Sequence, residues 1–370
     1  MPILSRADTS VVGRWWWSID RVMLTALILL VGIGYVLALA ATPATNIALS
    51  DPRTMVMIKQ IVYLAVGAFV MIATSMLDLK QVKLAALGIG IIFLILTAFT
   101  LVHGVVIDGG RRWIALPGFT IQPSEFLKPA LIIATAWLLA ERRRTPGFPG
   151  MMAALGLNGL VLLMLLRQPD VGSTALVAST FLVQLFLDGL NVYWVGIAVA
   201  GFGAAGFAAF EFIAHVHMRV MLFLHPTKDK AYQAITALSA FGNGGLWGRG
   251  SGEGQVKHYL PDARSDFVFA VAGEEFGLIV CLGIILIFAV IVLASGLLVS
   301  FGLQAFINMA SSLSLIPTKG MTLPFISYGG SAVLAVGLHM GFLLALTRKR
   351  NHAERAAERG AGATMQDRVA

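Results

Sequence analysis

Charge is what this sequence has least of. Only 12% of its 370 residues are charged, against about 25% in a soluble domain of ordinary composition. With 58% hydrophobic residues and a mean hydropathy of +0.83, the chain has too little polar surface to clothe a water-soluble body. That excludes soluble enzymes, disordered chains and fibrous proteins. Cysteine is nearly missing too. The single residue, Cys281, lies in an apolar run, can form no intrachain disulfide, and says nothing of redox compartment. Histidine forms no ligand cluster; His215 and His217 are the one close pair, and a structural role suits them better than a metal. No Walker loop, dinucleotide fingerprint, cytoplasmic domain or internal repeat is found.

What is there is a polytopic membrane protein. A helix crossing a bilayer needs about 20 mostly apolar residues. Such runs cover 22–41, 57–76, 82–102, 126–140, 150–166, 171–187, 192–212 and 332–347. The uncharged stretch 277–316 would be about 60 Å long as one helix, twice the ~30 Å hydrocarbon core. It therefore reads as two spans turning near Ser295-Gly296. The expected fold is an all-α inner-membrane bundle of about ten transmembrane helices. Residues 1–350 are expected to form a single transmembrane domain, and 351–370 a short cytoplasmic tail, disordered or a frayed helix.

Charge sets the orientation. The chain has 27 basic and 19 acidic residues, a net +8. With an even number of spans and the N-terminus inside, Arg6, Arg14, Arg21, Lys80, Lys83, Arg142, Arg143, Arg144, Arg348, Lys349 and Arg350 all fall on the cytoplasmic side, as positive-inside orientation requires. One span fewer would put the C-terminal cluster on the wrong face. Both termini are therefore expected in the cytoplasm, with a large loop on the outer face, periplasmic if the membrane is a bacterial inner one, between spans seven and eight. The basic excess marks orientation and not nucleic acid. Ala38-Leu39-Ala40 resembles a signal cleavage site, but the apolar run is too long for a signal and carries Trp15, Trp16 and Trp17 at its inner edge.

Unusual chemistry concentrates in the outer loops. In 107–128, Pro123 suits a first helical turn, and Glu125 and Lys128 stand three apart on one face, where they can pair. Ionisable residues at a span's edge point to function, or to an ion pair that fixes the helix end. The loop from His215 to Glu275 is rich in glycine between 242 and 254, then holds Lys257, His258, Asp266, Glu274 and Glu275. Glycine backbone can approach a ligand and offer amides to an anion. A carboxylate bordering an apolar helix can act as a base, although solvated loop acids are the commoner case. In 316–331 two prolines and three glycines break the helix at membrane depth, which survives only beneath protein or beside a water-filled cavity, and Lys319 places a cation there. Arg167-Gln168-Pro169-Asp170 is a shorter turn of the same kind. An outward polar cavity of this sort suits a transporter, a lipid-handling enzyme or a scaffold.

At these loops the chain resembles the SEDS family, which shapes, elongates and divides bacterial cell walls. The resemblance rests on Arg112-Trp113-Ile114, Gln122 to Lys128, Gln168-Pro-Asp-Val-Gly172, Ser265-Asp-Phe-Val-Phe269 with Glu274-Glu275, and Pro317 to Gly330, in family order from the first span to Arg350. Gly248 to Lys257 and Lys319 to Pro324 look most like division-type members from alphaproteobacteria, with elongation-type members the near alternative. The resemblance implies a peptidoglycan glycosyltransferase that polymerises lipid II on the periplasmic face at the septum, with undecaprenyl pyrophosphate as leaving group. Asp266 matches the family's essential acid and is expected to be the general base. Arg112, Glu125 and Lys128 match the motif around the central cavity and are expected to bind lipid II, with Lys319, Arg249, Lys257 and Glu275 as further candidates. A divalent cation, Mg or Mn, would assist, although no ligand set demands one. Implied partners are a class B penicillin-binding protein, divisome proteins and membrane lipids. Lipid II flipping is the competing family reading; translocation needs no base.

One departure stands out. The family's charged cytoplasmic loop between spans eight and nine is missing here, and a hairpin squeezed at Ser295-Gly296 is expected to shorten both helices.

Overall fold

The computed structural model describes residues 10–41, 52–107, 110–212, 214–225, 232–295, 299–317 and 320–349. The expectations for Arg6, Lys319, Arg350 and the tail 351–370 lie outside the described residues.

A short helix, α1 (Val11–Ser18), precedes α2 (Arg21–Ala40), α3 (Pro52–Ser75) and α4 (Leu79–His103). Three strands follow, β1 (Val105–Ile107), β2 (Gly110–Leu116) and β3 (Phe119–Ile121). The remainder is helical: α5 (Pro123–Arg144), α6 (Gly150–Arg167), α7 (Val171–Leu187), α8 (Val192–Phe212), α9 (Ala214–Leu224), α10 (Tyr232–Gly244), α11 (Val268–Ser295), α12 (Val299–Ser312) and α13 (Gly330–Thr347).

Among the described residues, seven helices are long and apolar enough to cross a membrane: α2, α3, α4, α6, α8, α11 and α13. The apolar α7 has 17 residues. α5 is diluted by Glu125 and Lys128 near its start and by Glu141 to Arg144 at its end. Outward faces of α4 and α8 expose Leu84, Ile91, Ile95, Val199, Phe207 and Phe212, an apolar belt that water would not tolerate. Inside, Met23, Leu27, Phe288, Phe301, Phe325 and Met340 form one core joining α2, α11, α12 and α13.

The stretch 277–316 forms two antiparallel helices. α11 ends at Ser295 and α12 starts at Val299, with Phe288 and Phe301 rings 5.3 Å apart and Gly302 facing Val292. α12 has 14 residues, about 21 Å of helix against a core of ~30 Å, whereas α11 has 28 and is not short; the turn expected at Gly296 lies outside the described residues.

The loop 107–128 corrects the all-α expectation. It holds an antiparallel meander, with Ile107 opposite Gly110, Ile114 opposite Ile121 and Leu116 opposite Phe119. Pro117-Gly118 makes the second hairpin turn, proline setting the first central residue and Gly118 (φ 86°) the second. Residues 110–116, Gly-Arg-Arg-Trp-Ile-Ala-Leu, show no polar–apolar alternation, so the strand period leaves no trace that a reading of the sequence could use.

The two ends of the bundle differ. At one, Trp15 Nε1 donates to Ser75 Oγ (2.8 Å), Arg348 donates to Ser18 Oγ (2.8 Å) and Met76 O (3.3 Å), and Lys349 N donates to Ser18 O (2.8 Å). Lys83 lies over the Trp137 ring (4.0 Å), while Arg142 and Arg143 pair with Asp188 (both 2.8 Å). The first and last described segments thus meet at one basic end. At the opposite end lie the sheet and the segments carrying the motifs: Lys59 Nζ donates to Gly118 O (3.0 Å), and Lys257 Nζ to Ala40 O (2.7 Å) at the far end of α2.

Candidate functional site

Asp266 sits in a tight turn just before α11. Asp262, in the left-handed region (φ 55°), accepts from the backbone N–H of Asp266 (3.1 Å), and the Asp266 carbonyl accepts from Asn308 Nδ2 (3.0 Å) and Ser312 Oγ (3.4 Å). The half-buried side chain faces the broken segment 317–329: a Cβ built on Gly320 would lie 3.3 Å from Asp266 Oδ2. The flanking residues of the turn are tied to the same segment. Ser327 Oγ donates to Ser265 O, and Tyr328 N donates to Arg264 O (2.7 Å).

This segment is the hub of the motif end. Met321 packs its sulfur against Gly172, where an added Cβ would stand 3.2 Å from Sδ. Gln60 Nε2 donates to Ser327 O (3.1 Å), and Gln122 N donates to Ser331 Oγ (3.2 Å) at the start of α13. Met321, Leu323, Phe325, Ile326 and Ser327 are all buried, so the irregular backbone is covered by protein.

Arg112 extends from β2 to the start of α7. Its guanidinium donates to Gln168 O (3.1 Å) and Pro169 O (3.2 Å) and lies 3.8 Å from Asp170 Oδ2. Asp170 caps α7, accepting from Ser173 N (3.0 Å). Gln168 in turn donates to Thr100 Oγ1 on α4 (2.7 Å). The expected pairing of Glu125 and Lys128 is present: both are buried and Nζ lies 2.8 Å from Oε1. Lys128 also lines a small cleft with Leu131, Asn158, Thr180, Gln184 and Ser300.

Glu274 and Glu275 are buried, unlike ordinary loop acids. They precede Gly277, whose φ of 80° interrupts α11. The break exposes backbone groups that the glycine-rich loop satisfies. Leu278 N donates to Gly245 O (3.0 Å), while Arg249 N and Gly250 N donate to Glu274 O and Glu275 O (both 2.9 Å). Glu274 carboxylate oxygens accept from Gln255 N (3.1 Å) and Val256 N (2.9 Å). Lys257 Nζ donates to Glu275 Oε1 (2.6 Å), Ala40 O (2.7 Å) and Gly252 O (2.9 Å), and the Arg249 side chain is exposed. Among the described residues, no group of three His, Cys, Asp or Glu side chains is placed to hold a metal ion.

The sequence-derived residues therefore fall into three groups at one end: Asp266 facing the hub segment, Arg112 with Asp170, and Glu125 with Lys128; Lys257 and Glu275 form a fourth, buried pair. Gln60, Gln168, Asn308 and Ser327 were not singled out as site residues. Amides and hydroxyls scatter widely in sequence, and only the i, i+4 spacing of Gln304, Asn308 and Ser312 offered a signal.

The arrangement has known counterparts. A family model described as cell cycle protein, covering FtsW, RodA and SpoVE, matches residues 20–297 and 290–352. The chain belongs to this family. The two matched stretches overlap at 290–297. The probable peptidoglycan glycosyltransferase FtsW of Caulobacter vibrioides is 39% identical, with 94% of this chain and 93% of that protein covered. Its counterpart from Alcanivorax borkumensis is 35% identical, covering 90% and 94%. Among solved structures, a chain of a peptidoglycan synthase complex described as coordinating polymerization and crosslinking superposes with a TM-score of 0.71 at 25% identity, covering 90% of this SEDS chain and 98% of that one. The rod shape determining protein RodA of Thermus thermophilus gives 0.64 at 25% identity, covering 91% and 99%.

Proposed function

We propose that this chain is an FtsW-type peptidoglycan glycosyltransferase that polymerises lipid II at the division septum, with Asp266 as general base. The observation that carries this is the place of Asp266. It is a half-buried carboxylate on a turn tied to the segment where the other motifs converge. The acceptor's GlcNAc 4-hydroxyl gives its proton to Asp266 as its oxygen bonds to the donor anomeric carbon. The bond from that carbon to the pyrophosphate breaks, and its electron pair leaves on undecaprenyl pyrophosphate. Arg112, Lys128, Lys319 and Arg249 supply positive charge for the pyrophosphate, and Glu125 orients Lys128. An Mg or Mn ion there would supplement these cations. Lys257 and Glu275 contribute by holding the glycine-rich loop on the α11 kink.

In this reading the chain crosses the inner membrane about ten times. α5, α7 and the short α12 complete the seven longer spans, both termini are cytoplasmic, and the motif end is periplasmic. The meeting of the first and last described segments at one basic end, away from the motif segments, supports it. A class B penicillin-binding protein supplies the transpeptidase, supported by likeness to a chain of a peptidoglycan synthase complex, and divisome proteins regulate the pair.

The test is glycan-chain formation from labelled lipid II by the purified protein with its transpeptidase. Wild type should polymerise, and Asp266→Asn should lose about 10²–10⁴-fold in rate while retaining lipid II binding. Equal polymer from both would remove Asp266 as base. No polymer from either, with binding and partner association intact, would favour flipping or scaffolding.

A further inference from the structure

α12 carries a polar edge that the function above leaves unused. Gln304, Asn308 and Ser312 recur every four residues, so they share one face, and all three are buried. Along that face Gln304 Nε2 donates to Thr322 O (3.0 Å). Asn308 Nδ2 donates to both Met321 O (2.6 Å) and Asp266 O (3.0 Å), and Ser312 Oγ reaches Asp266 O (3.4 Å). Asn308 therefore joins, through one amide, the turn that bears the carboxylate and the backbone next to Gly320. Both partners are carbonyl oxygens, which the amide NH₂ of Asn308 can satisfy and its amide oxygen cannot, so chemistry fixes which end of the side chain faces them.

From this geometry we infer that Asn308 is a positioning residue for Asp266: it draws Asp266 O and Met321 O onto one donor group and so fixes the carboxylate against the 320–322 backbone. The inference rests on Asp266 being the base. Asn308 is enclosed between α12, the Asp266 turn and the hub segment, and acts through the carboxylate. Its removal should therefore lower kcat and leave the KM for lipid II nearly unchanged. Gln304 provides the internal control. It lies one turn away on the same helix and binds the same segment, but does not touch Asp266.

The experiment is lipid II polymerisation by the full-length protein with its transpeptidase partner, with thermal unfolding and lipid II binding checked for each variant. Asn308→Ala should lose about 10- to 100-fold in kcat with KM within about threefold, the scale expected when a reacting group is misplaced by about an ångström. Gln304→Ala should stay within about threefold of wild type in both constants. If Asn308→Ala does not fold, Asn308→Ser, which keeps one donor, and Ser312→Ala carry the same measurement, with smaller losses confined to kcat. Wild-type kcat in the folded Asn308 variants, a change in KM alone, or an equal loss in Gln304→Ala would overturn the positioning role. An Asp266→Asn protein that polymerises like wild type would instead remove the base and this inference with it. An inactive Asp266→Asn beside a fully active Asn308→Ala would remove the positioning role alone.

Discussion

Ser327 stands between two backbone groups: its hydroxyl accepts from the buried Leu323 N (2.7 Å) and donates to the carbonyl of Ser265, the residue before Asp266. One side chain thus closes the irregular hub segment on itself and fastens it to the turn that carries the carboxylate. Serine suits both tasks because a hydroxyl accepts and donates at once. Alanine at 327 leaves the buried Leu323 N–H unpaired, at a cost of about 1–3 kcal/mol, and loosens the part-buried Ser265 C=O. Ser327→Ala should therefore lower the unfolding temperature in detergent and depress polymerisation together, whereas stability equal to wild type would contradict this account.

α2 approaches the hub segment at a single glycine. A Cβ at Gly34 would collide with the carbonyl of Phe325, itself in the left-handed region (φ 61°), while a Cβ at Gly32 would meet nothing within 4 Å. Gly34→Ala should displace the segment and reduce glycan synthesis sharply. Gly32→Ala should be neutral or gain up to about 1 kcal/mol from helix propensity. Similar behaviour of the two variants in parallel unfolding and polymerisation assays would rule out the close packing.

The Lys257–Glu275 pair is buried on both sides, with side chains 1% and 0% exposed. Removing one partner strands a charge, so Lys257→Met or Glu275→Leu should each destabilise by about 3–5 kcal/mol. The double variant should cost less than the sum of the two, because neither stranded charge remains. Denaturant titration of the four proteins measures the coupling; strict additivity would mean the pair does not act as a unit.

Arg112 uses its planar fork on two carbonyls and a carboxylate at the start of α7. Lysine keeps the charge but cannot span those acceptors. Arg112→Lys should lose most of the polymerising activity despite its unchanged charge, and wild-type turnover would show that charge alone suffices.

The single buried cysteine makes topology simple to read. Ser251 and Arg144 are exposed at opposite ends of the bundle. In spheroplasts, an impermeant maleimide should label Ser251→Cys and spare Arg144→Cys until the membrane is opened; the reverse pattern would invert the proposed orientation.

Much of this was legible in the chain itself. Apolar runs too long for anything but a bilayer, basic residues that fall on one face only with an even number of passes, and helix-breaking residues at 317–330 each follow from local composition, because span length and positive-inside charge are one-dimensional constraints. The pairing of Glu125 with Lys128 also followed from helical spacing. The meander at 105–121 did not, because its short strands are outweighed by the helices around it. Nor did the burial of Glu274 and Glu275, whose partners lie 18 to 23 residues away in a glycine-rich loop. The ties of Asp266 to Asn308, and of its turn to Ser327, span 42 and 62 residues, and hydrogen bonds over such separations leave no periodic trace. Sequence alone determined that this is a membrane-spanning SEDS chain and which segments carry its chemistry. Only the tertiary structure decided that those segments meet on one irregular segment around Asp266, because that meeting is a product of helix packing.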